Sequence, residues 1–247
     1  MEKIMFEKDV SIVTRHGRMP AFAVRPEGPG PYPVVILYMD APGIREELRH
    51  MARRIATAGY YCLLPDLYYR IGTVRFDLPR RDERMSAVVG ACMRSIDNER
   101  TTDDTAGMLA FLDGEAEANA QKVSCLGFCM SGRYVVAAAA KFGPRIASAA
   151  SLYGVGLVTE DEGSPHKLVA KVPGELYFAF AETDGAAPPA TIAALQEALA
   201  ATSVTHDVDV FPNSEHGYCF TAGRCYQPEA AEATWAKLFA LWKRTLA

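Results

Sequence analysis

Long apolar runs are missing from this chain. None of its 247 residues belongs to an uninterrupted apolar stretch near the ~18 residues that a membrane-spanning helix needs. Positive charge is not in excess either. The 26 Lys and Arg are outnumbered by 30 Asp and Glu, for a formal net charge of −4, so the basic face of a nucleic-acid binder is not expected. Six cysteines (Cys62, Cys92, Cys125, Cys129, Cys219, Cys225) lack metal-ligand or disulfide-scaffold spacing. In a chain this long they read as reduced thiols of a cytoplasmic protein. The opening MEKIMFEKDV carries acids where a secretory leader needs an apolar core. No internal repeat, low-complexity segment or linker divides the sequence. The expected partners are small molecules, with no nucleic acid and no membrane, and the expected state is a monomer or weak homodimer.

What is present is an alternation of strands and helices. Asp9–Thr14 and Pro20–Arg25 alternate around a turn at Arg15-His16-Gly17 and read as an antiparallel hairpin. Val34–Met39, Tyr60–Leu64 and Glu175–Ala181 are continuous apolar runs, as in strands buried on both faces. Helices are expected from Arg45 to Ala58, Asp82 to Met93, Thr101 to Leu112, Pro188 to Ala200 and Pro228 to Leu246. Further strands are expected at Ala147–Tyr153 and, at an edge, Thr205–Phe211, with a loop over 155–172. The pattern predicts one α/β domain over 1–247, a mostly parallel sheet with helices on both faces after the initial hairpin. Residues 70–98, rich in Arg and Asp, read as an excursion over the end of the sheet and the active site.

The stretch Lys122–Ala140, KVSCLGFCMSGRYVVAAAA, passes from an apolar strand through Gly127-Phe128-Cys129-Met130-Ser131-Gly132 directly into an Ala/Val helix. Small residues around an abrupt strand-to-helix turn match a nucleophile elbow with Cys129 at its apex. A thiol there faces the helix N-terminus, whose free N–H groups and dipole favour negative charge. From the stretch alone, a cysteine that merely packs at a strand–helix junction fits equally well.

A cysteine nucleophile needs a base, and the base an orienting acid, on loops at the carboxyl ends of strands. Of the five histidines, only His216 follows a strand end, in Asn213-Ser-Glu-His-Gly-Tyr218; a solvated loop histidine is the alternative. Asp184, in Ala181-Glu-Thr-Asp-Gly185, follows a buried strand, with Glu182 as its rival. Cys129, Asp184 and His216 fall in the order nucleophile, acid, base. The oxyanion donors expected are the N–H of Met130 and, after strand 34–39, that of Ala41, since Pro42 has none.

These residues carry a resemblance. GFCMSG at 127–132, PDLY at 65–68, LYGVGL at 152–157, ETDG at 182–185 and EHGYCF at 215–220 make the chain, from about Val10 onward, similar to the dienelactone hydrolases. The resemblance implies an α/β-hydrolase fold and a Cys-His-Asp triad. It further implies hydrolysis of an ester or lactone through an acyl-thiol intermediate, with no metal or organic cofactor. It also implies an acid just before the oxyanion donor that acts on the thiol, here Asp40 instead of Glu, and a substrate-facing tyrosine at Tyr153. Ser131 stands where many members have Gly. The two arginines that hold a substrate carboxylate in dienelactone-specific members fall at Ser86 and Phe220, with Arg84 and Arg224 nearby. An apolar rim of Tyr38, Met39, Tyr153 and Phe220, with Arg84 as a basic neighbour, is therefore expected to prefer neutral substrates. Acyl transfer, another electrophile such as an organophosphate, and a catalytically silent binder with a reactive thiol are the rival readings.

Overall fold

The computed structural model describes residues 5–247. The chain forms two compact units, one ending at Gln121 and the other Lys122–Ala247, each described by itself.

In the first unit, β1 (Met5–Thr14) and β2 (Gly17–Pro26) form the expected hairpin, longer than the alternating cores alone suggest. Its two-residue turn closes where Gly17 takes a φ of +131°, a conformation that glycine adopts at no steric cost. β2 pairs antiparallel with β4 (Tyr61–Pro65), and β4 pairs parallel with β3 (Tyr32–Tyr38). Their order is β1-β2-β4-β3. Helix α1 (Glu46–Thr57) buries Leu48, Met51, Ala52 and Ile55 and stops before Gly59, whose φ is +106°. Helix α2 (Glu83–Arg94) is capped by Asp82, which accepts the Met85 N–H at 2.7 Å.

Helix α3 (Asn98–Asp113) begins one turn earlier than the sequence suggests. Asp97 is the reason: its carboxylate accepts the Arg100 N–H at 2.8 Å, satisfying a donor that would otherwise fray the first turn. Asp104, which falls in the first turn of the helix expected from Thr101, is fully buried in the body of the longer helix. There it takes hydrogen bonds from both terminal nitrogens of Arg70, at 2.8 and 2.7 Å, and from the Tyr69 hydroxyl at 2.7 Å.

In the second unit four strands run parallel in sequence order: β5 (Ala118–Phe128), β6 (Ile146–Leu152), β7 (Glu175–Thr183) and β8 (His206–Glu215). Leu176–Ala181 is buried without alternation, as a strand covered on both faces must be. β8 ends the order, and its half-exposed residues suit an edge. The connections are α4 (Gly132–Phe142), a segment holding the short helix α5 (Pro165–Leu168), and α6 (Pro189–Ala200). α5 and a following 3-10 turn at Val169–Lys171 occupy what the sequence presents as loop. Four residues of helix carry too little periodicity to be read in advance. The last helix, α7 (Pro228–Thr245), buries Trp235, Leu238, Leu241 and Trp242; each such side chain stabilises the fold by ~1.5–3 kcal/mol.

β7 and β8 lose their even register near the top. Ala181 pairs with Phe211, but Thr183 pairs with Glu215. The extra residues of β8 include Pro212 and Asn213, the latter at a φ of +54°, and they carry β8 on to the residue before His216. No helix among the described residues is long and apolar enough to cross a membrane.

Candidate active site

All four parallel strands of the second unit deliver a side chain at their carboxyl ends: Cys129 after β5, Tyr153 after β6, Asp184 after β7 and His216 after β8. Cys129 opens a single 3-10 turn between β5 and α4, with a φ of +53°. Non-glycine residues rarely sit there, and a strained turn projects the side chain away from its neighbours. The surrounding small residues are sterically required. A β-carbon on Gly127 would collide with the Ser131 carbonyl oxygen and lie 2.9 Å from Val135 Cγ1. One on Gly132 would strike Ser151 Oγ and lie 2.5 Å from Gly154 Cα. Ser131 itself is fully buried and fits. The elbow is also tied from behind, because the Val155 N–H donates to the Cys129 carbonyl at 2.9 Å.

His216 and Asp184 meet at 2.7 Å, through Nδ1 and Oδ2. A carboxylate only accepts, so Nδ1 carries the hydrogen and Nε2 is left to the hydrogen bond that His216 also makes with Cys129. Asp184 is fixed on both oxygens, since Oδ1 accepts the Ala186 N–H at 2.8 Å. Its side chain is 1% exposed, that of His216 33%. Burial is the largest single influence on His216 and opposes its charge. The hydrogen bonds to Asp184 and Cys129, with the charges of the same two groups, outweigh burial and push the imidazole up to about 10. A hydrogen-bonded series of nucleophile, base and acid is the arrangement that activates a thiol for attack on an electrophilic carbon.

Glu182, the rival acid, accepts the backbone N–H of Asn213 at 2.8 Å. The other histidines have local partners: His16 with Asp103, His50 with Glu46, His166 with Ser164 Oγ and His206 with the Val204 carbonyl. Tyr153, fully buried, lies against His216, and Phe220 packs on Tyr153 and on Phe128, with ring centroids 6.2 and 5.2 Å apart.

Met130 is buried in the 3-10 turn that Cys129 opens, and Tyr38, Met39, Asp40, Ala41 and Arg84 belong to the first unit. Tyr38 and Met39 are fully buried, and the Tyr38 hydroxyl is 2.8 Å from Thr105 Oγ1. Asp40 is buried against Arg45, which clasps both carboxylate oxygens and donates to the Gly43 carbonyl at 3.2 Å. Burial pushes the Asp40 carboxyl up, and the Arg45 guanidinium works against that shift. Ala41 sits in a turn closed by the Gly43 N–H on the Asp40 carbonyl at 2.9 Å, so the turn does not consume the Ala41 N–H. The Ala41 carbonyl accepts from the Tyr68 hydroxyl at 2.8 Å, which gives the tyrosine of PDLY a physical role. Arg84 is exposed on α2, and Ser86 accepts from Arg81 Nε at 3.0 Å. Composition and spacing did not single out these contacts of Arg45 with Asp40 and of Tyr68 with Ala41.

Among the described residues no group of three or more His, Cys, Asp or Glu side chains could hold a metal ion. A cavity of about 400 Å³ lies at the amino ends of β6 and β7, bordered by Ile146, Gly174 and Glu175, and includes none of the triad residues.

The model of the "Dienelactone hydrolase family" matches residues 19–246. A Methylorubrum extorquens protein bearing the name "Putative carboxymethylenebutenolidase" is 27% identical over 93% of this chain and 78% of its own. A Synechocystis protein of the same name is 25% identical over 96% of each chain. Among solved structures, a Klebsiella pneumoniae protein titled "Putative Dienelactone Hydrolase" superposes with a TM-score of 0.88 at 23% identity, over 98% of this chain and 99% of that one. A "Dienelactone Hydrolase-like Promiscuous" phosphotriesterase from metagenomic libraries superposes with a TM-score of 0.82 at 20% identity, over 98% and 99%. These likenesses give the chain the α/β-hydrolase fold.

Proposed function

The chain belongs to the dienelactone hydrolase family, and from that premise we propose that it hydrolyses a small ester or lactone through Cys129, His216 and Asp184, by way of an acyl-thiol intermediate. The observation that carries this reading is the hydrogen-bonded series from Asp184 through His216 to Cys129 at a strained elbow.

In this reading the resting site is an ion pair, with the thiol proton already held by the His216 imidazolium, and the Cys129 thiolate attacks the substrate carbonyl. The oxyanion of the tetrahedral intermediate is held by the Met130 N–H, at the start of the helix that follows the nucleophile. The intermediate collapses as His216 gives its proton to the departing alkoxide, leaving a thioester on Cys129. Water, deprotonated by His216, then attacks the thioester, and the acid departs as the ion pair is restored. Asp184 keeps Nδ1 protonated and the ring oriented throughout.

Neutral esters and lactones are the proposed substrate class. Ser86 and Phe220 occupy the positions to which the family resemblance assigns carboxylate-binding arginines. A phosphotriester attacked by the same sulfur is a second reading, favoured by the fold shared with the metagenomic phosphotriesterase.

p-Nitrophenyl acetate hydrolysis by wild type and Cys129→Ala, with intact mass taken during turnover, tests the proposal. The expected result is activity lost in the variant and a transient acetyl adduct on the wild type alone. Equal rates in both proteins would remove Cys129 as nucleophile and favour a silent binder.

A further inference from the structure

Tyr153 is the only non-glycine residue besides Cys129 and Asn213 to hold a positive φ among the described residues, at +39°. It is also fully buried, although tyrosine seldom adopts that conformation. Several contacts hold it there. Its N–H donates to the Ala179 carbonyl at 2.6 Å. The next residue, Gly154, passes so close to Gly132 that neither could carry a β-carbon without a collision at Ser151 Oγ. One residue further, the Val155 N–H reaches the Cys129 carbonyl. The chain leaving β6 is thus bent onto the elbow, and the bend directs the Tyr153 ring at the base.

The ring meets the His216 imidazole edge-on, with centroids 5.1 Å apart and planes at 63°. It is itself walled by Tyr218 at 5.2 Å, Phe128 at 5.9 Å and Phe220 at 6.2 Å. The titratable groups facing the imidazole are Asp184 and Cys129. Glu215, its neighbour in the chain, is engaged instead by the Cys225 thiol at 3.6 Å. The imidazole can swing about its two side-chain torsions, which tilts it out of line with Asp184 and Cys129. A packed ring on one side removes that freedom.

We propose that Tyr153 is a positioning residue for the general base: its ring, not its hydroxyl, fixes the plane of His216 between Asp184 and Cys129. This rests on His216 being the base of the proposed reaction, and it differs from a role for Tyr153 as a substrate contact.

The test compares Tyr153→Phe with Tyr153→Leu, and with Tyr153→Met should the leucine variant not fold. His216 is titrated by NMR without substrate, and kcat and KM are measured on p-nitrophenyl acetate. Tyr153→Phe, which keeps the ring, is expected to leave the titration unmoved and to keep kcat well above that of the aliphatic variants. The aliphatic variants are expected to lose roughly tenfold or more in kcat with KM within about twofold. Their His216 titration should move down toward the ordinary histidine value as the bond to Asp184 loosens. A phenylalanine variant as impaired as the leucine one would overturn the proposal in favour of the hydroxyl. So would aliphatic variants with unchanged kcat and titration. The titration needs no turnover, so a shift seen in a protein whose Cys129→Ala variant keeps full activity would sink Cys129 as the nucleophile and leave the Tyr153–His216 coupling standing.

Discussion

Glu182 and Asn213 are joined across the tops of β7 and β8, the carboxylate of the first accepting the backbone N–H of the second at 2.8 Å. Glu182 lies two residues before Asp184 and Asn213 three residues before His216. The bond therefore spans the register shift between the loops that carry Asp184 and His216. The Glu182 N–H adds a longer bond to Ser214 Oγ at 3.4 Å, and that hydroxyl donates to the Phe211 carbonyl at 2.7 Å.

Removing this clasp should loosen the acid–base pair without dissolving it. Glu182→Ala is expected to cost about 1 kcal/mol of stability, the net worth of an ordinary hydrogen bond, and to lower kcat several-fold. Glu182→Gln keeps a carbonyl acceptor and should restore most of both. Thermal melts and steady-state rates on the two variants check this; a glutamine variant no better than alanine would show that the bond is not what matters.

Arg45 and Asp40 form a buried pair whose separation should be expensive. Arg45→Met leaves a carboxylate buried without its cation, a loss of about 3–5 kcal/mol. Adding Asp40→Asn to that variant removes the orphaned charge and should recover much of the loss. Urea unfolding of the single and double variants is the measurement, and additive losses would contradict the pairing.

The elbow's geometry separates two replacements that both remove the thiol. Cys129→Gly relieves a φ of +53°, whereas Cys129→Ala keeps the strain, so the glycine variant is expected to be the more stable by roughly 1 kcal/mol. Gly132→Ala should instead destabilise by about 1–3 kcal/mol, because the atoms in its way include the Gly154 backbone. Calorimetric melting of the three variants orders them; a glycine variant less stable than alanine would contradict the strain.

The imidazole of His216 should be cationic well above the usual histidine range. Its folded-state value of about 10 lies above the ordinary 6.5. The stabilisation it lends is then fully present below pH 6.5 and is lost as pH rises toward 10. Asp184→Asn removes an anionic partner and should lower the titration midpoint. Unfolding of wild type and Asp184→Asn at pH 6 and at about pH 10 should show the wild-type advantage shrinking at the higher pH; a constant gap would count against the assignment.

Much of this arrangement was legible before any coordinates. The apolar runs located strands β3, β4 and β7, and the order of Cys129, Asp184 and His216 singled out three residues that the fold brings into hydrogen-bonding reach. Other features depend on partners far away in sequence. Asp104 reads as a helix-entry acid until Arg70 and Tyr69 are seen around it. The extension of β8 to Glu215 runs through Pro212 and Asn213, which local preference assigns to a turn. The clasp of Arg45 on Asp40 is a contact between side chains, and no periodicity announces it.

The unequal cover over Asp184 and His216 bears on the kinetics of the proposed reaction. Asp184 is sealed and pinned on both oxygens, while a third of the His216 side chain is open to solvent and Cys129 is part-exposed. Buffer species should therefore exchange protons with the imidazole and the thiol, and the carboxylate behind them should act as a stationary counter-charge.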